Sequence, residues 1–232
     1  MANPYDWPRA REALQRLFAN PDDTQQVFVI INALSGHSPQ RMLRRLAEDG
    51  TGARLLASKS NLLPLLLDRQ HLRSLPDGSL GRAYLAFVEG EGITADGLVQ
   101  ASQVHDRDAE VDPELEYLRG RMRDTHDLWH AVTGYKGDLI GEAALLAFTL
   151  VQTRNPGIAL IVTTAFLQGR ELGARSQIVR GLVRGVRARW LVAFDWEKAL
   201  ARPLADVRRE LRIGAPPEYV AVRTSQLVPV AA

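Results

Sequence analysis

Apolar residues recur at three- and four-residue steps along nearly every segment of the chain, the spacing that turns one face of an α-helix towards a core, and no internal repeat is visible. Start signals place helices at about 8–19, 22–34 and 39–48, opened by Pro8, by Asp22 or Asp23, and by Ser38-Pro39. Residues at about 51–75 read as short helical pieces broken near Pro64, with Pro76-Asp77-Gly78 as a turn. Two further helices at about 79–89 and 94–104 are followed by an acidic loop through Asp112-Pro113. A single helix is expected from Pro113 to Thr133, with Leu115, Leu118, Met122, Trp129 and Val132 as its core stripe and His126 at the stripe's edge. The helix from Asp138 to Thr153 is apolar almost all round and hence buried; the next runs from about Pro156 to Gly169, and others follow at about 174–194 and 203–211. The fold class is all-α: one multi-helix domain over residues 1–232 with flexible N- and C-terminal tails, the latter polar and proline-containing from Ala215.

Composition narrows the function classes. A chain of 232 residues that is 46% hydrophobic can bury a real core. The absence of cysteine excludes disulfides, thiolate metal sites and thiol nucleophiles. A net charge of +2 is too small for a general nucleic-acid binder, so no nucleic-acid partner is expected. The start, MANPYDWPRAREALQRLF, has proline and charges where a secretory signal needs an apolar core, and it is not an Arg/Ser-rich, acid-poor transit peptide. The longest apolar runs, Ala143 to Val151 and Ile158 to Leu167, are separated by Gln152, Arg154 and Asn155-Pro156-Gly157, and each is shorter than the roughly 20 residues that span a bilayer. A mature cytoplasmic protein without a transmembrane helix is expected.

Between Arg119 and Asn155 polar chemistry is set into apolar helix. His126 and His130 stand one turn apart on one face, with Asp127 about 60° round from His130, so two imidazoles can share one ion. Gly134 reads as a helix-ending C′ glycine and Gly137-Asp138 as the turn and N-cap opening the next helix, a hairpin that would swing Glu142 back towards the pair. Two His with one or two carboxylates make a divalent-metal site with open positions. Helix dipoles explain His130 at one helix end and Glu142 at the start of the next singly. They do not explain His126-Asp127, nor a carboxylate set among Ile140, Ala143, Leu145 and Leu146, where an unpartnered Glu would have to be protonated or cost several kcal/mol.

Other features carry less. His37, His71 and His105 sit beside turn, basic or loop residues and are given no function. Gly90-Glu91-Gly92-Ile93-Thr94-Ala95 matches G-x-G-x-x-A after a possible short strand at Tyr84 to Val88, but no second strand with a terminal acid follows in ASQVHDRDAEVD. Six arginines (170, 175, 180, 184, 187, 189) precede Trp190 and Trp196. Arg180, Arg184 and Arg187 share a helix face, which reads either as a solvated stripe or as contact with anionic headgroups worth about 1 kcal/mol per residue.

The spacing His126-Asp127-x-x-His130, eleven residues, Glu142 resembles the signature of the coenzyme Q biosynthesis protein 4 family. The resemblance extends to SLGRAYLAFVEGEGI before the motif and to GARSQIVRGLVRG and WEKALARPLADVRRELRI after it, covering residues from about 20 to 218 and arguing against a nucleotide site at GEGITA. It implies an all-α, peripherally membrane-associated protein that self-associates as a homo-dimer or higher oligomer and works among other ubiquinone biosynthesis proteins. It also implies metal ligands, and catalytic residues, at His126, Asp127, His130 and Glu142, although Tyr135-Lys136-Gly137 lacks the proline expected in that link. The implied activity is oxidative decarboxylation of a polyprenylated benzoate-type ring, carboxyl replaced by hydroxyl, with iron as the ion if the redox step occurs here and zinc as the other candidate. The alternative is a non-catalytic lipid-binding scaffold that organises the ubiquinone enzymes. The absence of a presequence suggests a bacterial relative at the cytoplasmic face of the inner membrane. A prenyl tail would need cover, and Leu145, Leu146, Phe148 and Leu150 on one helix with Ile161, Phe166 and Leu167 on the next are the residues expected to line a tunnel from the metal.

Overall fold

Short polar residues start the helices. In the computed structural model, which describes residues 5–21, 23–94, 112–169 and 173–224, the side chains of Asp6, Asp49, Asp68, Ser79, Asp112, Asp138, Asn155 and Asp195 accept hydrogen bonds from backbone N–H groups of the first turn that follows. These donors have no partner within the helix, so the caps decide where each helix begins. The helices are α1 Trp7–Ala19, α2 Gln25–Ala33, α3 Ser38–Glu48, α4 Gly50–Ser58, α5 Leu63–Leu67, α6 Arg69–Ser74, α7 Leu80–Gly90, α8 Pro113–Asp124, α9 His126–Thr133, α10 Leu139–Thr153, α11 Pro156–Gln168, α12 Ala174–Arg187, α13 Trp196–Ala199 and α14 Leu204–Leu211, with a 3-10 turn at Leu191–Ala193. The described residues contain no strand, only an isolated bridge between Ser79 and Pro203. The all-α expectation is met. The expected helix at about 94–104 lies almost wholly, and His105 entirely, outside the described residues.

Two expected helices are corrected. The one from Pro113 to Thr133 is divided at Thr125, whose hydroxyl donates back to the carbonyls of Arg121 (2.8 Å) and Met122 (3.3 Å), a side-chain bond that competes with the helical ladder and bends it. His126 consequently begins a helix of its own. The long helix expected to reach residue 194 stops at Arg187. Beyond it Leu191, Val192 and Ala193 are buried in succession, which a helix with one apolar face cannot do, and the chain takes a 3-10 turn instead. Tyr84 to Val88 lie within α7, so the GEGITA segment follows a helix and not a strand.

The chain forms two compact units. The first takes its described residues from 1–38, 135–187 and 216–232. In it α1 meets α2 through Ala10, Ala13, Ile30, Ala33 and Leu34. Helices α10 and α12 meet backbone to backbone: a Cβ on Gly181 would stand 2.2 Å from the Ala144 carbonyl oxygen, and one on Gly185 would stand 2.8 Å from that of Phe148. Gln152 spends its amide on the Gly185 carbonyl at 2.9 Å, so this buried polar group is satisfied. Ile140, Ala147, Ile158, Val162 and Ile178 form the adjoining core, against which Tyr219 and Val222 of the C-terminal segment pack.

The second unit spans residues 39–134 and 188–215. Its core gathers Leu46, Leu55, Leu72, Leu80, Tyr84, Leu118, Leu128, Trp129 and Trp196, each at most 2% exposed. Arg121, buried in α8, donates from Nη1 and Nη2 to the two Glu197 oxygens at 2.7 and 2.9 Å and from Nη2 to the Phe194 carbonyl at 3.0 Å, while Ser60 donates to Glu197 at 2.5 Å. This fork ties α8 to the 3-10 turn and α13.

Removing the cation from such a buried pair leaves a stranded carboxylate. Arg121→Ala should therefore lower unfolding free energy by about 3–5 kcal/mol in denaturant titrations at neutral pH, and a loss under about 1 kcal/mol would contradict the assignment. Burial alone would raise the Glu197 carboxyl, but the bonds from Arg121 and Ser60 hold it below its ordinary range. Its stabilisation is thus complete above the unfolded-state value of about 4.3 and is lost as pH falls through the lower folded value. Glu197→Gln should flatten the acid side of the stability profile; an unchanged profile would show that this carboxylate does not drive acid unfolding.

Candidate metal centre

Helix α9 is eight residues long and is fixed at both ends within its unit. Thr125 separates it from α8, and Gly134, at φ 78°, ends it in the left-handed conformation with its N–H on the His130 carbonyl at 2.8 Å. Arg208 of α14 donates from Nε to the Val132 carbonyl (2.9 Å) and from Nη2 to that of Ala131 (3.2 Å), pairing carbonyls that a helix end leaves open. His126 and His130 project from this short cylinder with their rings edge to face, 4.9 Å between centroids and 85° between planes. Their Nε2 atoms are 3.2 Å apart. Two nitrogens bound to one ion at about 2.0–2.1 Å lie about 2.9–3.4 Å apart for bond angles between octahedral and tetrahedral values, so the pair has the separation of two ligands to one ion.

The surroundings hold that geometry. His130 is 1% exposed and its ring is stacked on Phe87 of α7, centroids 4.7 Å apart and planes 12° from parallel. One turn before Phe87, Tyr84 is fully buried, and its hydroxyl has no hydrogen-bond partner among the described residues. Burial, and next the Asp127 carboxylate, push the Tyr84 phenol well above its ordinary range, which keeps it a neutral O–H donor.

Glu142 stands in the first turn of α10, half-buried, with its N–H on the Asp138 carbonyl at 2.8 Å. His126, His130 and Glu142 are a group that could hold a metal ion. Asp127, the fourth residue of the sequence motif, is not in that group.

Leu145 and Phe148 are 0% exposed and Ile161 5%, all in the core of the first unit, where Leu146, Leu150 and Phe166 are partly buried. Phe166 lies under the Arg175 guanidinium at 5.1 Å, and Leu167 is 64% exposed. Arg180 and Arg187 are exposed, whereas Arg184 is half-buried over the Tyr135 ring at 4.9 Å. Phe87, Tyr84 and Arg208 were not picked out as site residues by sequence reasoning. The first two lie three residues apart on one helical face, but nothing in that spacing says which helix the face will meet.

Comparison with known proteins places the chain. The family model described as Coenzyme Q (ubiquinone) biosynthesis protein Coq4 matches residues 10–217. The mitochondrial ubiquinone biosynthesis protein COQ4 homolog of Homo sapiens is 31% identical over 202 residues, 84% of this chain and 73% of that protein. The corresponding Yarrowia lipolytica protein is 29% identical over 182 residues, 77% of this chain and 67% of its own length, and that of Aspergillus terreus is 31% identical over 186 residues, 79% and 63%. The chain thus spans about two thirds of the length of such relatives. A crystal structure from Nostoc punctiforme superposes with a TM-score of 0.66 at 22% identity, covering 91% of this chain and all of that one, and shows a shared fold. A match over residues 10–217 spans nearly the whole chain, which therefore belongs to the Coq4 family of coenzyme Q (ubiquinone) biosynthesis proteins.

Proposed function

We infer that this Coq4-family chain is a metal-dependent enzyme of ubiquinone synthesis that replaces the carboxyl of a polyprenylated benzoate-type ring by hydroxyl. The observation that carries the reading is the His126–His130 pair, two imidazole nitrogens 3.2 Å apart on a helix braced at both ends. His126 and His130 would hold the ion, Glu142 would add a carboxylate, and Asp127, beside His126, would contribute a second negative charge to the site. Iron fits a site of two His and carboxylate with open positions when electrons must move, whereas zinc offers only Lewis-acid chemistry. A bound redox-active ion would supply the activation of molecular oxygen.

The balance of the reaction constrains the residues. One oxygen atom enters the ring carbon as the bond to the carboxyl carbon breaks and carbon dioxide leaves; the other becomes water with two protons and two electrons from an external reductant. The substrate is therefore an aryl carboxylate, whose anionic oxygens need donors, and the product a phenol. The Tyr84 hydroxyl, kept protonated by burial beside Asp127, is suited to donate to such an oxygen. Phe87, flat against His130, restricts rotation of that imidazole and keeps its Nε2 turned to His126.

A prenyl tail transfers from water to an apolar surface at about 0.8 kcal/mol per CH₂, so it will not be left in solvent. Leu146, Leu150 and Phe166, partly buried, and Leu167, exposed, are the members of the expected tail set that a chain could reach without unpacking the core. No helix of the described residues is long and apolar enough to cross a membrane. Every large apolar side chain that is exposed among the described residues (Trp7, Phe18, Phe28, Leu167, Val179, Val183, Val186 and Val220) belongs to the first unit. On α12, Val179, Val183 and Val186 follow helical spacing beside exposed Arg180 and Arg187, a mixture suited to an anionic bilayer surface. The same surface would serve the scaffold reading, in which the chain presents prenylated intermediates to other ubiquinone enzymes and the metal is structural.

One measurement separates these readings and a second tests the membrane surface that both use. Glu142→Gln should remain folded and lipid-binding yet form no hydroxylated product, whereas loss of folding in step with loss of product would favour a structural metal. Reversing charge in Arg180→Glu/Arg187→Glu should weaken co-sedimentation with vesicles containing anionic phospholipid on the order of tenfold or more, and unchanged binding would remove α12 as the contact.

A further inference from the structure

The C-terminal segment, read from sequence as a flexible polar tail, is hydrogen-bonded to the start of the helix that bears Glu142. Asp138, 2% exposed, caps α10 through Oδ1, which accepts from the N–H groups of Ile140 (3.1 Å) and Gly141 (3.4 Å). Such caps are complete with two donors. Here the carboxylate takes two more, both from the C-terminal segment: the Val222 N–H donates to Oδ1 at 3.0 Å and the Tyr219 hydroxyl to Oδ2 at 2.8 Å. Tyr219 also accepts from the Lys136 N–H at 2.9 Å, so one phenol joins the residues on both sides of the turn into α10. Leu139 N–H closes the clasp on the Val222 carbonyl at 3.0 Å. The approach is tight enough to exclude a side chain, since a Cβ on Gly141 would stand 2.0 Å from the Lys136 carbonyl oxygen and 2.5 Å from the Tyr219 hydroxyl.

We propose that Tyr219 is a positioning residue for the metal centre, acting through Asp138 to fix the first turn of α10 and with it the placement of Glu142. The proposal rests on the metal-site reading of Glu142 given above. First turns of helices fray because their N–H groups lack internal partners. Glu142 lies in that first turn, its N–H on the carbonyl of the same Asp138, so the turn that the segment clamps is the turn that aims the carboxylate. The cap on its own suffices for helix formation, because Ile140 and Gly141 still donate to Asp138 without the phenol. What the phenol adds is a fixed direction for the Asp138 carboxylate, which an exposed cap lacks. Tyr219 packs against the core of the first unit and is held besides by the Lys136 ammonium over its ring at 5.9 Å and by the Gln177 amide on the adjoining Glu218 carbonyl at 3.5 Å. The Gln177 bond ties the clasp to α12 as well as to α10.

Co(II) is the probe, because its visible absorption follows coordination number and geometry. Full chains carrying Tyr219→Phe, Glu142→Gln or both are titrated beside the wild type, with helix content followed by circular dichroism. Tyr219→Phe is expected to bind about tenfold more weakly, the lower end of what outer-shell partners cost, with an altered absorption band and unchanged helix content. The double variant should bind no more weakly than Glu142→Gln alone, since a residue acting only through Glu142 has nothing left to position. A wild-type titration curve for Tyr219→Phe, or losses that add in the double variant, would overturn the proposal. Failure of the wild type to bind Co(II) would overturn the metal reading itself. If Tyr219→Phe does not fold, Val222→Pro removes a single donor from the clasp and is judged by the same two criteria.

Discussion

Two imidazoles can share an ion only while their nitrogens stay a ligand's separation apart, and on this chain that requirement falls on eight residues of helix. A free helix of that length would not persist in water. Its order comes from outside: the Thr125 back-bond at one end, Gly134 and the Arg208 guanidinium at the other, and Phe87 against the face of His130. The Arg121–Glu197 fork holds the preceding helix within the same unit. Stability and site geometry are coupled here, because the polar contacts that brace the unit hold the helix from which both imidazoles project.

Much of this was legible in the sequence. Caps and prolines located most helix starts, since a helix needs partners for its first N–H groups and Asp, Asn and Ser supply them locally. The His126–His130 pair was legible because a three-residue gap on a helix is a local statement about chain geometry. The breaks were not. Thr125 looks like an ordinary helix residue until its hydroxyl turns back on the Arg121 carbonyl, and the end of α12 at Arg187 depends on three successive residues finding burial in another part of the fold. Long-range partners were equally hidden: Tyr219 and Asp138 are separated by 81 positions, and nothing in either neighbourhood names the other.

The two units divide the physical work. The second unit holds the histidine pair and the Arg121–Glu197 fork, while the first packs helices through glycine and alanine, buries the Asp138 cap and keeps all the large exposed apolar side chains among the described residues. Close packing of α10 on α12 leaves the outer face of α12 to carry exposed valine beside exposed arginine. An enzyme whose substrate has a polar ring and a long apolar tail needs both kinds of surface, and a lipid scaffold needs only the second.

The claim that the histidine pair holds a working metal is tested most directly by measuring hydroxylated product from protein stripped of metal and then reconstituted anaerobically with Fe(II), in the presence of oxygen and a reductant. Product should be absent from the stripped protein and restored by Fe(II), with no restoration in His130→Ala. Full product formation by the metal-free protein would contradict the account.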